Sequence, residues 1–295
     1  MPINLGSGAI SGAYVGSTAV SAAYLGSASV YSFAPSGITG LQLWLDASDA
    51  STLYDATTGG SLVAADGGVA RWEDKSGNDR HATQGTSGSR PVRKASVQNG
   101  LDGLRFDGSD DYLVAGTASM FTFLHSSTSS WFVIFRAGDV ADPDTFYFLC
   151  GTAGTVVSPG GAYIRHETRN TLSQTGIAHI SGGNGARTNN YRSGPGGNVY
   201  QVASLVSDQT ESLAENRSFL RVNGGAAATE SSSTEALDTS DPRDGFGIGA
   251  LKGSSNTYGG FLLGDICEII VYDSALSDTD REAVENYLMT KWAIT

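Results

Sequence analysis

Cysteine is scarce in this sequence: Cys150 and Cys267 are the only two among 295 residues. Two cysteines build no disulfide framework. Both sit in apolar runs, FYFLC and GDICEIIVY, which predict buried free thiols on strands. A single bridge stays open as an alternative if those strands are neighbours. Basic residues are few as well, 18 Lys and Arg against 30 Asp and Glu, for a net charge of −12. A chain of that sign repels phosphate backbones and anionic membranes, so nucleic acid is excluded as an expected partner. No run of about 18 apolar residues exists, so no membrane span is predicted. The opening MPINLGSGAI lacks the charged and apolar regions of a secretory leader. Synthesis and folding in a cytoplasm are therefore expected.

Charge is missing altogether from Met1–Phe33, which repeats with a period of ten. Leu5-Gly6-Ser7, Val15-Gly16-Ser17 and Leu25-Gly26-Ser27 align, as do Ile10, Val20 and Val30, and Tyr14 and Tyr24. Each unit reads as a short strand, a Gly-Ser turn and another short strand. Repeats this small bury no face alone. The segment is expected to dock on a partner through Leu5, Ile10, Tyr14, Val15, Val20, Tyr24, Leu25 and Val30, the alternative being a flexible linker. Ala34-Pro35-Ser36-Gly37 then marks a boundary, giving an attachment segment over 1–35 and one domain over 36–295.

What fills that domain is a turn-rich β pattern: 40% hydrophobic residues, 16% charged and 39 glycines. In GLQLWLDAS, Leu41, Leu43 and Leu45 alternate with Gln42 and Trp44. Ser130–Arg136 and Thr145–Cys150 read as central strands, Val199–Val206 and Ser218–Val222 as alternating ones. Asn223-Gly224 is a hairpin turn, and Gly245–Ala250 and Phe261–Asp273 supply the last strands. A closing helix is expected, with Ser277 and Asp280 as a capping box and Val284, Tyr287, Leu288 and Trp292 on one face. It should pack at the edge or base of the sheets. The stretch Leu101–Ala115 reads as a hairpin: a strand with Leu104 and Phe106 inward, a turn at Asp107-Gly108, and a second strand from Tyr112. Asp110 and Asp111 are its candidate Ca²⁺ ligands, with Asp74 and Asn78 joining them if the loops meet. An Asx-turn without metal is the alternative for the Asp74 loop.

Taken together, GLQLWLDASD, WEDKSGNDRHATQ, NGLDGLRFDGSDDYL and GDICEIIVYDSALSDTDREAVENYLMTKW resemble the concanavalin A-like, laminin-G-like jelly rolls of bacterial surface proteins and phage virion proteins. The resemblance covers about 36–295. It implies an all-β sandwich of two antiparallel sheets whose concave face and rims are available to carbohydrate, with Ca²⁺ on a rim in some members. The N-terminal repeats resemble YxGSxxV-type segments of tailed-phage fibres and minor tail components. That implies a virion protein made in the host cytoplasm, attached to other virion proteins through residues 1–33. A homo-oligomer is expected, trimers being common among fibres, although no coiled-coil signature is present.

One region differs from the rest in charge. Gly151–Tyr200 holds four arginines against one acid, Glu167, so it carries +3 within a chain of −12. Arg165, His166, Arg169, Arg187, Asn190, Tyr191 and Arg192 are the candidate glycan-binding residues, in what reads as a set of Gly-rich loops. An ordinary loop set, or a contact to an acidic subunit, is the alternative. Catalysis is not expected. A glycosidase needs two carboxylates facing one cleft, whereas Asp265 and Glu268, three apart, should face opposite sides of a strand, and no G-x-S-x-G elbow or zinc spacing is present. The expected function is a non-enzymatic virion protein presenting a carbohydrate-binding jelly roll to the host surface. A decoration protein making only protein contacts is the alternative, and a glycan hydrolase the third.

Overall fold

The structure is a computed structural model that describes residues 14–15, 18–19, 22–25, 28–138, 146–153, 161–169, 174–182, 188–193, 198–208, 210–211, 217–228, 242–253 and 255–295, with only the backbone described over 14–32, 167–169 and 174–193. Two antiparallel sheets carry the fold. The first runs, in spatial order, Ser218–Val222, Gln201–Asp208, Thr128–Ala137, Leu263–Tyr272, Leu101–Asp107 and Val92–Gln98. Leu41–Asp46 completes it by pairing with the second half of Leu263–Tyr272, whose first half pairs with Leu101–Asp107. The second sheet runs Thr188–Ser193, Gln174–Gly182, Gly161–Arg169, Phe146–Ala153, Phe246–Ile248, Leu113–Ala115, Ala82–Thr83, Arg71–Trp72 and Leu53–Tyr54.

Alternation along Thr128–Ala137 shows how the core is divided. Trp131, Val133 and Phe135 point between the sheets, where they join Leu104, Phe106, Trp72, Phe246 and Ile248. Phe132 and Ile134 point outward, where they join Tyr272, Val284, Leu288 and Trp292 beneath the C-terminal helix Asp278–Trp292. The strand is covered on both faces, which is why it reads as an unbroken apolar run. The helix therefore lies over the outer face of the first sheet, not at an edge or base. The N-cap half of the expected capping box is present: the Ser277 hydroxyl accepts from Asp280 N at 3.2 Å, and the Asp280 carboxylate accepts from that hydroxyl at 2.9 Å. Packing of the jelly roll begins at Phe33, buried in the same outer cluster beside Tyr287. No described helix is long and apolar enough to cross a membrane.

Several expectations need correction. Leu101–Ala115 is not a hairpin: Leu101–Asp107 pairs within the first sheet and Leu113–Ala115 within the second. The acidic turn is an arch between sheets, and Phe106 and Leu113 meet the core from opposite sides. Leu41 leaves the face of Leu43 and Leu45, because a bulge shifts the register between Val271 and Tyr272 and turns Leu41 toward Trp44. The basic, Gly-rich stretch contains three strands at the edge of the second sheet, not a loop set. Tyr14–Val15 pairs with Thr18–Ala19 and Ala22–Leu25 with Ala28–Ser32, the expected hairpins of the repeat. Leu5, Ile10 and Val20 lie outside the described residues, as do the side chains of Tyr14, Val15, Tyr24, Leu25 and Val30. Cys150 and Cys267 are buried and free, one on each sheet.

Candidate functional site

The register of three central strands assembles a charged row on the outer face of the first sheet. Asp265 lies opposite Arg105 on one side and Arg136 on the other. Its carboxylate is fully buried. It accepts from Arg105 Nε at 2.7 Å and Nη2 at 3.1 Å, and from Arg136 Nε at 2.8 Å. Tyr200 donates its hydroxyl to the same carboxylate, and Arg136 Nη1 donates to Asn198 Oδ1 at 2.8 Å. Burial pushes the Asp265 carboxyl up, but the hydrogen bonds from Arg105, Arg136 and Tyr200 outweigh it and hold it below the usual carboxylate range. Gly264 allows the strands to approach: a Cβ there would sit 2.1 Å from Arg136 O. Above the row opens a cleft of about 340 Å³ lined by Arg105, Phe106, Arg136, Gly138, Asn198, Leu263 and Gly264. Arg105 is held by two bonds to Asp265 while its side chain stays 43% exposed. Leu263 is an exposed apolar wall.

Beside this cleft stands the acidic arch, since Asp107 pairs with Leu263. Carboxylate oxygens of Asp107, Asp110 and Asp111 all lie within 4.8 Å of one another. Asp107 Oδ1 accepts from Ser109 N and Asp110 N, Asp110 Oδ2 from Ser89 Oγ, and Asp111 Oδ2 from Asp107 N. Three carboxylates this close form a donor set that fits a hard divalent cation such as the Ca²⁺ of the resemblance. Burial, then the neighbouring Asp107 and Asp110 charges, push the Asp111 carboxyl up to about 7 from an ordinary 3.8. A raised folded value means the native state binds the proton more tightly. In EDTA, stability should therefore fall as pH rises from about 4 to about 7. Asp111→Asn should make that fall smaller, read as the difference in Tm between pH 4 and pH 8. An unchanged profile would contradict the placement.

Asp74 and Asn78 do not join this group, which corrects the four-ligand expectation. Both are used to close their own loop against Leu41–Asp46. Asp74 accepts from Trp44 N, Ser76 N and Ser76 Oγ at 2.9, 2.9 and 2.7 Å, and from Arg80 N at 3.1 Å. Asn78 donates to Leu41 O at 2.9 Å. Of the expected glycan contacts, Arg165 lies on Gly161–Arg169 and packs over the Phe146 ring at 4.7 Å. His166 is a correction: its ring is 1% exposed and turned inward, so it is not a surface contact. Arg187 and the side chains of Arg169, Asn190, Tyr191 and Arg192 lie outside the described residues. The backbone places His166 opposite Ile177, and Ile177 opposite Arg192, in adjacent strands.

Glu268 shares the outer face with Asp265, contrary to expectation. Glu268 pairs with Ile134 and Ile266 with Phe135, so Cys267 is an extra residue in a bulge, and the next side chain keeps the same side. Glu268 is fully buried beneath the helix. It accepts from Trp44 Nε1 at 2.9 Å, Tyr287 OH at 3.0 Å, Lys291 Nζ at 2.7 Å and Trp292 Nε1 at 2.8 Å. Lys291 also reaches Asp46 at 2.8 Å. Burial and the Asp46 charge raise the Glu268 carboxyl; burial raises Asp46 too, but Lys291 outweighs it and brings Asp46 down. With every acceptor direction taken, this carboxylate docks the helix.

Solved structures of similar shape place this sandwich among known folds. The binding domain of paraclostridial mosquitocidal protein 1 matches with a TM-score of 0.55 at 12% identity, over 85% of this chain and 52% of that one. The receptor-binding domain of botulinum neurotoxin type G matches at 0.51 and 10% identity, over 85% and 52%. Trypanosoma rangeli sialidase, in complex with the inhibitor DANA, matches at 0.52 and 16% identity, over 94% of this chain and 36% of that one. The chain has a concanavalin A-like fold. It spans about a third of the sialidase chain and about half of the toxin chains. No family model matches the sequence, and no curated protein matches it.

Proposed function

We propose that this chain is a non-catalytic glycan-binding protein of a tailed-phage virion, fixed to other virion proteins through residues 1–33 and presenting its jelly roll to the host surface. The observation that carries the glycan reading is the cleft beside Asp265. There, charged and amide donors and an apolar wall converge at the surface of a sandwich whose core is complete without them. Sugars take that combination, hydroxyls on the donors and a ring face on apolar surface. A stacked pair, Tyr112 and Tyr258 at 3.9 Å, stands next in sequence to Asp111 and adds half-exposed aromatic surface. The virion assignment rests on the uncharged ten-residue repeat and its resemblance to phage fibre segments.

Two measurements test this reading. Deleting residues 1–32, which spares the buried Phe33, should abolish incorporation into particles while leaving the jelly roll soluble; truncated protein that still assembles would overturn the attachment role. Incubating the purified chain with host polysaccharide should release no reducing sugar. Release would replace the binding reading with hydrolysis.

A further inference from the structure

We propose that the cleft between Arg105 and Arg136 takes a terminal sugar bearing a single carboxylate; this rests on the glycan-binding reading and names the ligand class and its site. The local charge points that way. Two guanidiniums face one buried carboxylate, which leaves +1 at the floor of an open cleft in a chain of −12. Asp265 does not neutralise Arg105 by enclosing it. It takes Nε and Nη2 and leaves the side chain 43% exposed, with donors to spare among its five N–H groups. The fork is already oriented before a ligand arrives, and a carboxylate is the group that such a fork recognises.

Size and surroundings narrow the ligand. At about 340 Å³ the cleft is at the small end of ligand sites, suited to one terminal unit and not to a run of sugars. Leu263 offers an apolar wall for a ring face or methyl group, and Asn198 lines the cleft beside Arg136. Exposed Asp107 and Asp110 flank the cleft next to Leu263. Their charge opposes a polyanion, so one carboxylate is accepted where a sulfated chain is repelled.

The test uses the full chain and immobilised oligosaccharides ending in a hexuronic acid or in a nonulosonic (sialic) acid, each beside its carboxyl-reduced form, with a neutral oligosaccharide and heparin as further arms. One acidic pair should bind, and its reduced form should bind roughly tenfold to a hundredfold more weakly, the effect of losing a charged hydrogen bond. Which pair binds identifies the sugar. Arg105→Ala should lose the same factor for the acidic form only, and Asn198→Gly, which suits the left-handed backbone at that position (φ +66°), should weaken it as well. Added salt should weaken the acidic arm. Equal binding of acidic and reduced forms, preference for heparin, or no effect of either variant would overturn the proposal. Neutral-sugar binding that survives Arg105→Ala would overturn this site and leave the glycan reading standing; no binding in any arm would overturn both.

Discussion

Glu268→Ala should destabilise the protein by about 3–5 kcal/mol, through a cavity and orphaned donors, and lower its Tm by on the order of 10 °C. The carboxylate is the shared acceptor for two indoles, a phenol and an ammonium that together fix the C-terminal helix to the first sheet. Lys291 keeps Asp46 as a partner after the substitution, so the cost falls on Trp44, Tyr287 and Trp292. Glu268→Gln should cost less, about 1–3 kcal/mol, because its carbonyl still accepts while its amide opposes a neighbouring donor. A raised folded pKa also has a sign. The Glu268 contribution to stability should be lost as pH rises above the ordinary value of 4.5, so the gap between wild type and the Gln variant should be wider in acid and narrow as pH rises. Thermal melts across pH measure both effects. Wild-type stability in the Ala variant would contradict the docking role.

Asp265→Ala should cost about 2–4 kcal/mol, less than a wholly enclosed ion pair because Arg105 can rehydrate. Arg136 and Tyr200 lose the same acceptor, and the guanidiniums are left facing one another. The pH dependence runs opposite to that of Glu268. A depressed folded value gives stability that is present above the ordinary 3.8 and lost as pH falls through the folded value. The gap between wild type and Asp265→Asn should therefore be full near neutrality and close in acid. Sugar binding at the cleft should fall in both variants, since the fork of Arg105 is no longer held. A gap that persists at low pH would show that charge is not what Asp265 supplies.

How far the sequence discloses this depends on whether a feature is local. Trp131–Phe135 announces a strand covered on both faces, and Ser277 with Asp280 announces the start of a helix, because period and cap chemistry are written within a few residues. Bulges are not so written. Nothing in GDICEII marks Cys267 as the extra residue, yet that one residue carries Glu268 to the face of Asp265. The arch at Asp107–Asp111 looks like a hairpin because an inter-sheet turn and a hairpin turn use the same residues. The strands of 161–193 hide behind glycines and polar side chains that an edge position tolerates. The Arg105–Asp265–Arg136 row needs three strands in register. Its residues stand out only as charges placed among apolar neighbours, as in LRF, IFRA and GDI.

Glycan binding by the intact protein is the claim on which the rest turns. Titrating the purified chain against a panel of acidic and neutral oligosaccharides, with Ca²⁺ and with EDTA, tests it directly. Saturable binding to at least one glycan, weakened by Arg105→Ala, is the predicted result. A protein that melts cooperatively and retains no glycan under either condition would contradict it, and would leave the jelly roll as a surface for protein contacts alone.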